Sequence, residues 1–273
     1  MNPLNAPHSD LYVPDDRDRG EALARCTHLG IGAHQDDLEF MAPQGILECF
    51  QSKERWFGGV ICTDGAGSSR SGPYAAYTDE AMKAVRADEQ RTAAHIGQYA
   101  FIAQLAHPSR VVKEPQARAT LVEDLVQLLQ ASRPEIVYTH NPFDKHASHI
   151  GVLLGVLDAI RQLPEPERPK KLIGCEVWRG LDWLPAKDKG VAPVDGHANI
   201  SAALNAVFDS QIVGGKRYDL AVEGRRRANA TFLESHATDA CERAAYYLDL
   251  SDLTRDGGPS LKAFSTGILD TFA

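Results

Sequence analysis

A chain of 273 residues, 43% hydrophobic and 24% charged, is long enough to bury a full core and lies outside the peptide-module and disordered ranges. Its 29 basic and 37 acidic side chains leave a net charge of −8, which repels phosphate backbones and argues against general nucleic-acid binding. The five cysteines (Cys26, Cys49, Cys62, Cys175, Cys241) are scattered without C-x-x-C spacing, the N-terminus is polar, and no long apolar run occurs, so a reduced, cytoplasmic protein with no membrane partner is expected.

Residues 1–22, rich in Pro, Asp and Asn, read as an N-terminal arm lying on the surface or against a second copy in a homo-oligomer. A short apolar strand follows over 28–34 (HLGIGAH), then a helix from Pro43, whose missing N–H has no intrahelical role in a first turn. Residues 56–62 (WFGGVIC) form a second buried strand that leads into a long loop, T-D-G-A-G-S-S-R-S-G-P. Helical patterns cover 79–97 and 116–131, and a third strand covers 135–139. A helix over 150–163 lies behind it, followed by a strand over 171–178 and helices over 201–211 and 219–235. Strands alternating with helices of this length predict an α/β fold, a mainly parallel sheet with right-handed crossovers. The linker-like stretches at 164–169 and 186–194 are short, so 1–273 reads as a single domain.

Two polar clusters directly follow apolar strands, at the sheet edge where open parallel sheets bind ligands. The first is A-H-Q-D-D-L-E, Ala33 to Glu39. A histidine and two consecutive aspartates at the mouth of a buried strand are costly to desolvate unless something cationic compensates them. His34 and Asp37 can both turn toward one metal position, with Asp36 beside it and placed for proton transfer. The same residues suit helix capping, and this cluster alone leaves both readings open. The second cluster, T-H-N-P-F-D-K-H-A-S-H-I-G, holds three histidines, and His149 is a natural third ligand. Three protein ligands with an open fourth position is the arrangement of a catalytic zinc site. A dinucleotide-binding reading of G-I-G-A-H fails, because the third glycine is missing and acids stand where phosphates would lie.

These motifs resemble the LmbE-like (PIG-L) family of zinc-dependent N-acetylglucosaminyl deacetylases, whose A-H-P-D-D-x-E, T-D-G and late H-x-x-H appear here as A-H-Q-D-D-L-E, Thr63–Gly65 and His146–His149. V-R-A-D-E-Q, with Arg86 and Glu89, resembles the family's R-x-x-E helix. The resemblance implies a Rossmann-like fold with helices on both faces and a zinc ion (or another divalent metal) on His34, Asp37 and His149. It further implies Asp36 as general base, and His146 as the group that stabilises the intermediate or protonates the leaving amine. Arg86 would help hold the sugar. The T-D-G loop, with Asp64 and Arg70, can also hydrogen-bond sugar hydroxyls or serve as a plain solvent loop. The implied reaction is hydrolysis of an N-acetyl amide on an amino sugar or glycoside by metal-activated water. Hydrolysis of another amide or ester, or a metal-binding module without turnover, are the alternatives. Two departures stand out. Gln35 replaces the usual proline, which is expected to loosen the turn, and Ser148 replaces an acid, which leaves Asp144 to supply a carboxylate to His146. Trp178 and Trp183 suit either core packing or stacking on a sugar ring.

Overall fold

The computed structural model describes residues 3–234 and 236–272. In chain order its first half runs β1 (Asp10–Tyr12), α1 (Arg19–Ala24), β2 (His28–Gly32), α2 (Asp37–Met41), α3 (Pro43–Cys49), β3 (Phe57–Thr63), α4 (Asp79–Ile96), β4 (Phe101–His107) and α5 (Ser109–Lys113). The second half runs α6 (Ala119–Ser132), β5 (Ile136–His140), α7 (Ala147–Gln162), β6 (Lys171–Cys175), β7 (Gly190–Pro193), α8 (Ala198–Ala206), α9 (Asp209–Gln211), α10 (Tyr218–Ala230), β8 (Ala244–Asp249) and α11 (Leu261–Leu269).

The strands form one eight-stranded sheet in the order β1-β4-β3-β2-β5-β6-β8-β7. Its five central strands are parallel, and β1, β8 and β7 add antiparallel edges. Helices cover both faces. Leu125, Leu128, Val152 and Val156 of α6 and α7 pack on one, and Leu38, Ile46 and Leu204 of α2, α3 and α8 on the other. Burial on both faces is why β2 and β3 are near-continuous apolar runs rather than alternating ones. The chain runs outward through β2, β3 and β4, then returns to place β5 on the other side of β2. The switch point thus lies between β2 and β5, and the crevice beyond their carboxyl ends receives both polar clusters.

Several elements differ from the sequence expectation. Within the N-terminal arm a strand was not anticipated: β1 pairs with β4 through Asp10–Gln104 and Tyr12–Ile102, and Leu11 and Val13 are buried. Strand β4 itself, FIAQLAH, escaped the reading, because its buried Gln104 and two alanines blur a strand pattern that only burial on both faces explains. Strands β7 and β8 and helix α11 were likewise not anticipated. The helix expected over 201–211 is broken near Phe208, whose backbone leaves the helical region (φ −84°, ψ 57°). The helix expected over 219–235 runs Tyr218–Ala230, and its predicted end, Ser235, lies outside the described residues. The strand expected over 171–178 ends at Cys175, where the Glu176 carboxylate turns to accept the N–H groups of Gly180 and Leu181. All five cysteines are free, and none of the described helices is long and apolar enough to cross a membrane.

Helix α7 approaches α5 closely only because residue 151 is glycine. A Cβ there would lie 2.0 Å from the Val112 carbonyl oxygen, a backbone atom with no flexible end to yield. Gly151→Ala should therefore destabilise the fold by about 1–3 kcal/mol, despite the better helix propensity of alanine. Urea unfolding of the two proteins side by side measures this, and an equal or higher midpoint for the variant would contradict the packing argument.

Candidate metal centre

The turn after β2 is held by its own backbone and by its neighbours. Asp37 Oδ2 accepts the His34 N–H at 2.7 Å, and the Asp36 N–H donates to Gln90 Oε1 at 3.1 Å. Asp36 occupies the left-handed region at φ 93°, a conformation that costs a non-glycine residue about 1–3 kcal/mol and is met at functional turns. Although it stands at the head of α2, its side chain caps nothing, so the capping reading of this cluster is not what the carboxylate does. Gln35 does not loosen the turn: its side-chain amide reaches Thr63 O and Gln104 Oε1 and ties β2 to β3 and β4.

The second cluster arrives from β5. His146 precedes α7, and its Nδ1 accepts the Ser148 N–H, so α7 begins three residues earlier than expected. One turn into the helix, His149 meets His34 and Asp37. The His34 Nδ1 to Asp37 Oδ2 distance is 3.3 Å, His149 Nε2 to Asp37 Oδ1 is 3.4 Å, and His149 Nε2 to His34 Nδ1 is 3.3 Å. A tetrahedral ion with bonds of about 2.0–2.1 Å keeps its ligands about 3.3–3.4 Å apart, so each pair of this imidazole–carboxylate–imidazole set stands at ligand spacing for zinc or a similar divalent metal, with Asp37 meeting His34 through Oδ2 and His149 through Oδ1. Electrostatics agree. Burial opposes charge on His149, yet Asp37 and Asp144 overcome it and raise its pKa to about 10. A field that so favours a proton on this imidazole also favours a metal cation. Burial likewise presses Asp37 upward, but His149 and His34 hold it well below the usual carboxylate range.

Two other histidines adjoin this triad. His146, with His34 and His149, forms a group whose donor atoms lie within 4.8 Å of one another, and so does His140 with Asp37 and His149. His140 went unassigned in the sequence. It is fully buried, stacks on His149 with ring centroids 3.9 Å apart, and accepts the Ala33 N–H on Nε2 at 3.0 Å. That bond occupies its lone pair and makes it a buttress beneath the triad. The available signal was its position as the last residue of an apolar strand.

Asp144 is where the structure corrects the expectation most directly. Its carboxylate does not serve His146. Oδ2 pairs with His149 Nδ1 at 2.9 Å, while Oδ1 accepts only the backbone N–H of His146. The helix start turns the His146 ring away and presents His149 instead. A carboxylate on the outer ring nitrogen orients the imidazole and leaves Nε2 free to ligate. Asp144→Asn should then weaken metal binding by about 10–100-fold, measured by competition with a chromophoric chelator. Unchanged affinity would reduce Asp144 to a loop-holding role.

Asp36 lies beside the triad. Its Oδ2 accepts from Arg86 Nη2 at 2.9 Å, and burial raises its pKa to about 6, with Arg86 working against the rise and Asp37 adding to it. Arg86 is itself buried and committed. It also donates to the Gln35 carbonyl, to Glu89 at 3.0 Å and to Ser210 at 3.3 Å. Although it lines the pocket, it is the ion partner of the candidate base, not a sugar clamp held free. Asp64 and Arg70 do not reach the pocket. Asp64 caps the Ala66 N–H and pairs with Lys83, while Arg70 bonds the Ala66 carbonyl and Asp79. Both shape the loop whose Gly65, Gly67 and Ser68 line the cavity.

The cavity measures about 190 Å³. Trp178 forms part of its wall, packed on Tyr218 at 4.5 Å and Phe40 at 5.5 Å, whereas Trp183 meets Phe143 edge to face at 5.1 Å and is not in the lining. Lys113, Gln211, Lys216 and Tyr218 complete the lining. Lys216 and Tyr218 belong to G-G-K-R-Y-D-L, a segment that the family resemblance places at the substrate pocket, whereas Lys113 and Gln211 stand in no metal or catalytic motif and carried no sequence signal.

Residues 29–160 match the family model described as GlcNAc-PI de-N-acetylase, PIG-L. No curated protein sequence matches the chain. Among solved structures, the N,N'-diacetylchitobiose deacetylase of Pyrococcus horikoshii is similar at 15% identity and TM-score 0.65, over 86% of this chain and 88% of that one. A conserved protein of Thermus thermophilus is similar at 20% identity and TM-score 0.62, over 82% and 94%. The 4-carboxy-2-hydroxymuconate hydratase of Pseudomonas putida is similar at 16% identity and TM-score 0.63, over 82% and 96%. At these identities the likeness shows a common fold.

Proposed function

Because residues 29–160 make this chain a member of the PIG-L family, we propose that it hydrolyses the N-acetyl amide of an amino sugar or glycoside with zinc or another divalent metal. The observation that carries the proposal is the convergence of His34, Asp37 and His149 to mutual distances of 3.3–3.4 Å, with the Asp36 carboxylate alongside. The fold alone does not choose the reaction, since a hydratase shares it.

An ion held by His34, Asp37 and His149 would polarise the amide carbonyl and acidify water. Asp36 receives the proton of the attacking water. Arg86 ties down its Oδ2, which directs uptake to Oδ1, and the raised pKa brings the carboxylate closer to neutrality, where a general base works well. His146 acts as a neutral donor. Its Nδ1 accepts the Ser148 N–H, so the ring proton sits on Nε2, and partial burial with the charges of His149 and His34 lowers its pKa to about 4. From Nε2 it donates to the developing oxyanion, and Asp36 returns its proton to the leaving amine. The wall of Trp178 and Tyr218 offers a face for a sugar ring.

The test is a screen of N-acetylated amino sugars, aminoglycoside precursors, other N-acyl amides and esters for released acid, before and after chelation and zinc restoration. Acetate from an N-acetyl sugar, lost on chelation and regained with metal, is expected. Turnover of an ester alone would select the alternative hydrolase. Bound metal without turnover on any substrate would leave a metal-binding module.

A further inference from the structure

The segment G-G-K-R-Y-D-L, Gly214 to Leu220, has no part in the metal centre, yet it builds one wall of the cavity. Gly215 at φ 88° and Arg217 at φ 44° fold the backbone sharply on either side of Lys216. Lys216 lines the same cavity as Asp36, Asp37 and Trp178. Its Nζ has one hydrogen-bonding partner among the described residues, the neutral carboxamide of Gln211 at 3.2 Å, and Tyr218 lies 5.0 Å away. The residue is exposed as a whole, yet partial desolvation lowers its pKa from the ordinary lysine value, with Asp36 acting against the fall.

The acids of the cleft are already engaged. Asp36 is paired with Arg86, Asp37 with the histidines, and Asp144 with His149. Glu176, in the adjoining cavity of about 210 Å³, accepts the N–H groups of Gly180 and Leu181. By contrast, Lys113 and Lys216 in the first cavity and Lys145 in the second enter no ion pair among the described residues. Three lysines without an ion-pair partner among the described residues thus stand around one cleft of a chain of net charge −8, and Asp36 is the carboxylate that acts on Lys216 through space. A neutral sugar would leave the Lys216 ammonium with the Gln211 carboxamide as its hydrogen-bond partner and no direct ion pair.

We propose that the substrate carries an anionic group, a carboxylate or a phosphate, bound by Lys216 within the attractive field of Lys113 and Lys145. This rests on the amino-sugar reading above and narrows it to acidic amino sugars. Gln211 takes one proton of the ammonium and leaves the remaining protons for the anion.

Binding of the deacetylated products tests the proposal without turnover. Glucosamine, glucosamine 6-phosphate and muramic acid are titrated calorimetrically into the zinc-loaded full chain. At least one acidic ligand should bind about 10–100-fold more tightly than glucosamine, as a charge-assisted contact implies. The acidic ligand showing the gain distinguishes phosphate from carboxylate. Lys216→Gln should remove most of that preference, whereas Lys216→Arg and the remote control Lys53→Gln should keep it. Equal binding of neutral and acidic sugars would overturn the proposal. So would a preference that survives Lys216→Gln, since the anion would then be held by the metal. Failure of the deacetylation reading appears separately, as absence of acetate release from any N-acetyl sugar.

Discussion

Asp36→Asn should leave the metal in place and lower kcat by about a hundredfold to ten-thousandfold, the range associated with loss of a general base. The amide is nearly isosteric and can still take up the Arg86 contact through its oxygen, so the turn at φ 93° keeps its anchor. Glu89, also bonded to Arg86, keeps that guanidinium from being left without a counter-charge. What disappears is the capacity to accept a proton. Steady-state rates, metal content and the unfolding midpoint should be measured on the same preparation, so that a lost rate cannot be confused with a lost ion or a lost fold. A near-normal rate with full metal would place the base elsewhere. Glu39, the other acid of the motif, is no substitute: it is buried against Tyr99 and Gln90, away from the cavity lining, and burial raises its pKa to about 8.

His149→Ala should abolish stoichiometric metal binding, bringing the content from about one ion per chain to a small fraction, because only two of three protein ligands remain. The loss extends beyond one donor. Asp144 would lose its imidazole partner and Asp37 one of its positive neighbours, leaving two acids in a buried place with less compensation. Elemental analysis after dialysis gives the answer, and His140→Gln is the informative companion. His140 also lies near Asp37, at 3.4 Å, but its Nε2 already accepts the Ala33 N–H. Its replacement should therefore retain the ion. Full metal in His149→Ala, or complete loss in His140→Gln, would exchange the two roles.

The candidate metal set and the acid beside it could be nominated from the sequence because their chemistry is compressed into short spans. His34, Asp36 and Asp37 share one turn, and His149 lies nine residues past the end of a strand, so residue type and position at a strand end sufficed to nominate them. The central parallel strands were legible for a similar reason, since burial on both faces leaves unbroken apolar runs such as HLGIG and FGGVICT. Strand β4 was hidden because Gln104 and its alanines meet their partners only across the sheet, where Gln104 reaches the Ala87 carbonyl and the Gln35 amide.

Other features depend on contacts between distant parts of the chain. Arg86 matches a motif position that suits a sugar clamp, yet its guanidinium is held by Asp36, 50 residues away in sequence, and by Ser210, 124 away. Asp144 is two residues from His146 and five from His149, and sequence proximity favours the wrong partner. The choice is made by the helix start, where His146 caps the first turn and the rise of α7 carries His149 onto the Asp144 carboxylate. Lys113 and Lys216 look like ordinary surface lysines in the linear chain. A single sequence thus determined the candidate ligand types, their place at two strand ends and the α/β alternation, all of which depend on local pattern. Only the tertiary structure decided which charges face one another, because ion pairing is set by distance through space, and the β2–β5 switch point brings together segments that the sequence keeps far apart.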